Sequence, residues 1–172
     1  MKKIIFLALA AVFSTLAVSS AIDDVQMLPT RKKLDEDAAR SSDHTSVKSK
    51  QIIYSVKVNS RSFKELNNVT IKYNIFYEAC QLGSTAKPEV KSASGSHSLE
   101  SLITNKPVEF DTTAIQLNQA ALDGGWYFSN GGSSVAKDKV VGLWFKAFDA
   151  DGKLIGEYMN PASVATKQKW KE

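Results

Sequence analysis

From Gln51 onward the chain alternates apolar and polar side chains, and a period of two commits it to half-buried β-strands. In Ile52-Ile53-Tyr54-Ser55-Val56-Lys57-Val58-Asn59 the even positions are apolar, whereas Ser55, Lys57 and Asn59 fall on the other face. Val69 to Ala79 repeats the pattern, with Val69, Ile71, Tyr73, Ile75, Tyr77 and Ala79 on one side and Thr70, Lys72, Asn74, Phe76 and Glu78 on the other. Helical spacing is absent from both segments.

The later segments follow the same rule. Val90 and then Ser96 to Leu102 read as short strands around Gly95. Pro107 to Thr112 alternates again, and Ile115 and Leu117 continue after an irregular step. Gly124-Gly125 and Asn130-Gly131-Gly132 bracket Trp126-Tyr127-Phe128 in a turn-rich region. Lys139 to Phe148 is apolar on both faces: Val141, Leu143, Phe145 and Ala147 on one, Val140, Trp144 and Phe148 on the other. That pattern predicts a central strand with something packed on its outer side. Asp149-Ala150-Asp151-Gly152 predicts a turn, Lys153 to Met159 the return strand, and Pro161 its end. The sum is an all-β body of about seven or eight antiparallel strands, an immunoglobulin-like β-sandwich over 51–172, with a small barrel as the other solution. Cys80 is the single cysteine, so the sandwich has no intrachain disulfide and must hold by apolar packing.

The N-terminal part reads differently. Lys2-Lys3, an apolar run from Ile4 to Val18 and the small residues Ser19-Ser20-Ala21 predict a cleavable signal peptide over 1–21. The run is short of the ~20 apolar residues of a membrane span, and no later run approaches that length, so no transmembrane span is expected after cleavage. The protein is therefore expected to be exported, to the periplasm, the cell surface or the medium. Residues 22–50 contain no aromatic side chain and hold charge blocks such as Asp35-Glu36-Asp37, which predicts a flexible polar leader.

Composition narrows the chemistry. The formal charge of +4, two lysines of which lie in the first 21 residues, is too small for a nucleic-acid binder working by bulk charge. Asp149-x-Asp151-Gly152 resembles the opening of a calcium loop, but the glycine comes early and Asn160 stands where the bidentate glutamate belongs, so a turn and no metal is expected. His44 falls in the leader and His97 in a weak strand between serines, which on a strand point to the opposite face. No nucleophile elbow or phosphate-cradling glycine loop is present. Glu78, Glu100, Glu109 and Asp111 read as the polar faces of strands; a hydrolase built from such carboxylates is the weakest of three functional readings. No cofactor is implied. Cys80, on the polar parity near a strand end, reads as a half-buried thiol, with an interchain disulfide as the alternative.

Trp126, Tyr127 and Phe128 are the most suggestive group. Exposed on their loop they would form a recognition surface for a partner protein or a glycan; alternation instead lets Trp126 and Phe128 face the core.

The segments YSVKV, NNVTIKYNIFY, PVEFDTTAIQL and VVGLWFKAFDADGKLIGEYMNP, with the tryptophan that follows, resemble a group of small exported immunoglobulin-like β-sandwich proteins of bacteria. Some members of that group are encoded with, or suggested to associate with, pilus-like surface machinery. The resemblance implies a non-enzymatic protein acting by protein–protein contact in an envelope or surface assembly. It brings no catalytic residues. A carbohydrate-binding module using the 126–128 loop is the alternative.

Overall fold

The computed structural model of the protein describes residues 23–41 and 44–171. The expected signal peptide, 1–21, lies outside them. The described residues form two antiparallel sheets packed face to face, an all-β sandwich without a disulfide. One sheet holds β1 (Val25–Ser41), β2 (Thr45–Ser60), β5 (Val108–Asp111), β6 (Ile115–Leu122) and β7 (Val135–Lys137). The other is β3 (Leu66–Ala79), β4 (Glu89–Leu102), β8 (Lys139–Phe148) and β9 (Leu154–Asn160), ordered β4-β3-β8-β9.

The stretch expected to be a flexible leader is a correction. Val25–Ser41 is a strand of 17 residues, paired along its length with β2. Val25 and Met27 are 1% and 2% exposed and belong to the core. From Thr30 to Ala38 the strand's side chains are exposed, and it is held chiefly by its ladder to β2, with a bulge between Lys33 and Asp35. Hydrophobic patterning reports burial, so an exposed strand held mainly by its ladder gives no such signal. Lys33 contacts Glu36 and holds its carboxyl below the usual range. The sandwich therefore includes Val25–Ser41 as well as the body from Gln51.

Where strands are half-buried, the alternation translates directly into the core. Ile52, Tyr54, Val56 and Val58 from β2 meet Val69, Ile71, Tyr73 and Ile75 from β3, with Leu143, Phe145 and Ala147 from β8 and Ile155 from β9. The irregular step between Asp111 and Ile115 is real: β2 pairs first with β6, over Thr45–Ile52, then with β5, over Ser55–Val58. Buried Thr112 sits at the junction, where the Tyr54 N–H donates to its Oγ1 at 2.9 Å and its own N–H donates to the Tyr54 carbonyl.

β8 is central, between β3 and β9, and is covered on its outer side as its two apolar faces require. Phe76, Trp144 and Val164 form a second, smaller core there, joined by Val141, Met159 and Trp170. Val164 opens the short helix α1 (Val164–Lys167), which follows the cis Asn160–Pro161 bond. The parity of β8 changes at Gly142. A bulge against Phe76/Tyr77 leaves Val141 unpaired, which turns Val140 toward the main core and Val141 outward, the reverse of strict alternation. Asn74 is fully buried under the same cover, with its amide donating to the Lys171 carbonyl at 2.9 Å.

Candidate functional site

The two connections at one end of the sandwich are knitted together. One is the 123–134 loop between β6 and β7; the other is the 80–88 loop between β3 and β4. Gly83 N–H donates to the Ser133 carbonyl at 3.0 Å, Ser133 N–H to the Ser84 carbonyl at 3.4 Å, and the Asn130 amide to the Gly83 carbonyl at 3.2 Å. The approach is so close that a Cβ on Gly132 would stand 2.0 Å from the Gly83 carbonyl oxygen. Each loop comes from a different sheet, so these bonds tie the two layers at their ends.

The aromatic triplet is divided by this arrangement. Phe128 is half-buried, its ring against Gly83, where an added Cβ would meet the ring edge at 3.0 Å. Trp126 and Tyr127 project from the paired glycines Gly124 and Gly125, whose φ values of 68° and 79° few other residues accept. They are 58% and 82% exposed. The alternative in which Trp126 joins Phe128 inside is therefore not what the fold does: the chain turns at Gly124-Gly125, and Trp126 to Phe128 form no strand.

His44 is the member of this group that the sequence does not reveal. It stands at the tip of the β1–β2 hairpin with φ 54°, and its carbonyl accepts from Asp123 N–H at 2.7 Å. That bond seats the imidazole on Trp126, with centroids 5.0 Å apart and planes 22° from parallel. Eighty-odd residues of sequence separate the two rings, and the antiparallel pairing of β2 with β6, Thr45 opposite Leu122, brings His44 to this end. The apex is thus a projection of an indole stacked on one imidazole, a phenol beside it, and a half-buried phenyl ring as its root.

Between the sheets, beneath the knitted loops, lies a cleft of about 600 Å³ whose walls include Cys80, Glu89, Lys91, Asn118 and Asp138. Asp138 is buried and its carboxylate is fully occupied. Oδ1 accepts from Cys80 N–H at 2.8 Å and Oδ2 from Asn118 N–H at 2.9 Å. These two donors belong to opposite sheets, so the residue is a tie between layers. Cys80, just past the end of β3, is half-buried as its parity predicts, and its thiol donates to the Lys137 carbonyl at 3.2 Å.

The remaining candidates are scattered. His97 lies flat on Phe110, 4.4 Å between centroids, inside the rim of the sandwich. Glu78 pairs with Lys139 at 3.0 Å, and Asp111 lies 3.7 Å from Lys32. Glu100 and Glu109 are exposed on different sheets. In the β8–β9 turn, the Asp149 carboxylate accepts from the N–H groups of Asp151 and Lys153 at 3.0 and 2.8 Å, which spends it on the turn itself. Among the described residues no three His, Cys, Asp or Glu side chains gather as a metal site, and no helix is long and apolar enough to cross a membrane. Set against known protein families, curated proteins and solved structures, the chain finds no match in any of the three.

Proposed function

We propose that the protein is an exported, non-enzymatic β-sandwich that acts by protein–protein contact in a bacterial envelope or surface assembly, of the kind associated with pilus-like machinery, and that the apex is its contact surface. One observation carries the reading: Trp126 and Tyr127 are held out to solvent on a loop whose own root is packed. Large aromatic side chains with few rotatable bonds are the commonest anchors of protein interfaces, because they bury much apolar area for little lost freedom. The hydrogen bonds between the two loops fix that geometry before a partner arrives, which lowers the ordering cost of binding. The signal-like segment 1–21 supports export to the periplasm, cell surface or medium. The carboxylates that would serve a hydrolase are paired, spent on backbone groups or dispersed, which supports a non-catalytic role.

The test is affinity capture from envelope extracts with the wild-type protein and with a Trp126→Ala/Tyr127→Ala variant. A stoichiometric protein partner is retained by the wild type and lost by at least tenfold with the variant. Capture of no such protein overturns the proposal, and so does capture that the variant leaves intact.

The stacking of His44 favours a second reading, a carbohydrate-binding module. With the imidazole on one side of the indole, Trp126 offers its remaining surface as a flat platform of the sort on which a sugar ring stacks. A glycan array separates the two: glycan binding that disappears with Trp126→Ala selects this reading, and a blank array rejects it.

A further inference from the structure

Each sheet ends in strands with unpaired backbone groups, and most of these edges are defended. β1 carries Pro29, Lys32, Lys33, Asp35, Glu36, Asp37 and a bulge. β7 spans three residues. β9 is covered where the Val25 carbonyl closes on Gly156, so tightly that a Cβ there would stand 2.4 Å from the oxygen. Proline, charge, bulges, brevity and cover are the ordinary ways in which proteins keep edges from pairing.

β4 has none of them in its central part. It runs for 14 residues and pairs with β3 alone, in unbroken register. Among the described residues, nothing bonds to its free backbone side between Glu89 and Ser101. From Ser92 to Ser98 it reads Ser-Ala-Ser-Gly-Ser-His-Ser, without a formal charge, a proline or a β-branched residue. The inward groups are secured. The Tyr73 ring covers Gly95 and its hydroxyl reaches Thr113 across the sandwich, and His97 lies on Phe110. Ser94, Ser96 and Ser98 are exposed on the outer face.

We infer that β4 is the self-association edge of this protein, and that its occupant is the β4 strand of a second copy, added antiparallel. A closed two-fold pairing requires each residue to meet its counterpart on the same face, which places one residue opposite itself. With Gly95 at that centre, Ser94 faces Ser96 of the other copy and Ser92 faces Ser98. Lys91 faces Leu99, Glu89 faces Ser101 and Glu100 faces Val90, so no like charges meet. The sequence of the strand thus fits its own reverse, and the two four-stranded sheets become one of eight. The aromatic apex plays no part in this contact, so the inference stands apart from the proposed function.

Sedimentation velocity of the purified protein, from low to high micromolar concentration, tests it. The wild type passes from monomer to dimer and no further. Ser94→Lys with Ser96→Lys opposes like charges twice across the two-fold and weakens the dimer about tenfold or more. Ser94→Lys with Ser96→Glu sets opposite charges face to face and restores it. Both pairs lie on an exposed face, and circular dichroism checks that each variant is folded. A wild type that stays monomeric throughout overturns the inference. So does a dimer that the double-lysine variant retains, one that both variants lose equally, or assembly that continues past the dimer.

Discussion

Trp144 and Trp126 show how the same side chain takes opposite roles on one domain. Trp144, 8% exposed, lies on the outer face of β8, where Phe76, Val164 and Trp170 enclose it. Its indole N–H donates to Glu157 Oε1 at 2.8 Å, and the Lys146 ammonium sits 4.8 Å from its ring and 4.6 Å from that of Trp170. Trp126 stacks on His44 and, among the described residues, keeps most of its surface in water. Every polar and apolar demand of Trp144 is met within the chain. Those of Trp126 are not, which is what a group held for an outside partner looks like.

The comparison breaks most visibly on Trp144→Ala. The substitution removes a buried indole, leaves a cavity under the C-terminal segment and strands the Glu157 carboxylate without its donor. The expected loss is about 3–5 kcal/mol of unfolding free energy by urea denaturation. A loss below about 1 kcal/mol would mean that the outer cluster is a loose cover and not a second core. Glu157→Ala probes the polar half of the same site. It keeps the indole but deprives its N–H of an acceptor and Lys146, 3.9 Å away, of its counter-charge. The loss expected is about 1–2 kcal/mol, in the same assay, because the site is only partly closed to water.

The two tryptophans also mark what the sequence makes legible. Trp144 is readable: an aromatic on the second face of an already apolar strand requires a cover, and Val164 and Trp170 supply it. The alternation of β2 and β3 likewise names the main core, because alternate residues over 52–58 and 69–75 all enter it, although Ile53, Ser55, Asn74 and Phe76 are buried on the other parity. Two kinds of feature escape. One is β1 from Thr30 to Ala38, exposed along its length and held chiefly by its ladder to β2. The other is the local swap at Gly142, where a bulge inverts which of Val140 and Val141 faces in. The apex combines both difficulties. Trp126, Tyr127 and Phe128 are conspicuous in sequence, yet their exposure depends on loop hydrogen bonds to Gly83 and Ser84. His44 reaches Trp126 because β2 pairs with β6, Thr45 opposite Leu122, at the tip of the β1–β2 hairpin, whose outer half buries little. Its composition resembles that of a solvated spacer, and side-chain patterning cannot separate the two.

The smallest expected effect is the one that sharpens the comparison furthest. Trp126→Ala removes a ring that the core does not use, while Phe128 keeps the loop rooted on Gly83. Stability should therefore change by no more than about 0.5 kcal/mol in the same urea titration, the range of an ordinary surface substitution. Fluorescence quenching supplies the matching spectroscopic readout. In the wild type a soluble quencher reaches Trp126 more readily than Trp144, which lies under Trp170 and Lys146. Trp126→Phe should remove the most accessible fraction of the emission and leave the unfolding midpoint in place. A marked loss of stability would instead tie the indole to the fold through His44 and the hairpin tip, making the stack a structural clasp. An unchanged midpoint with lost quenching leaves Trp126 free of structural duty, available to whatever the apex meets.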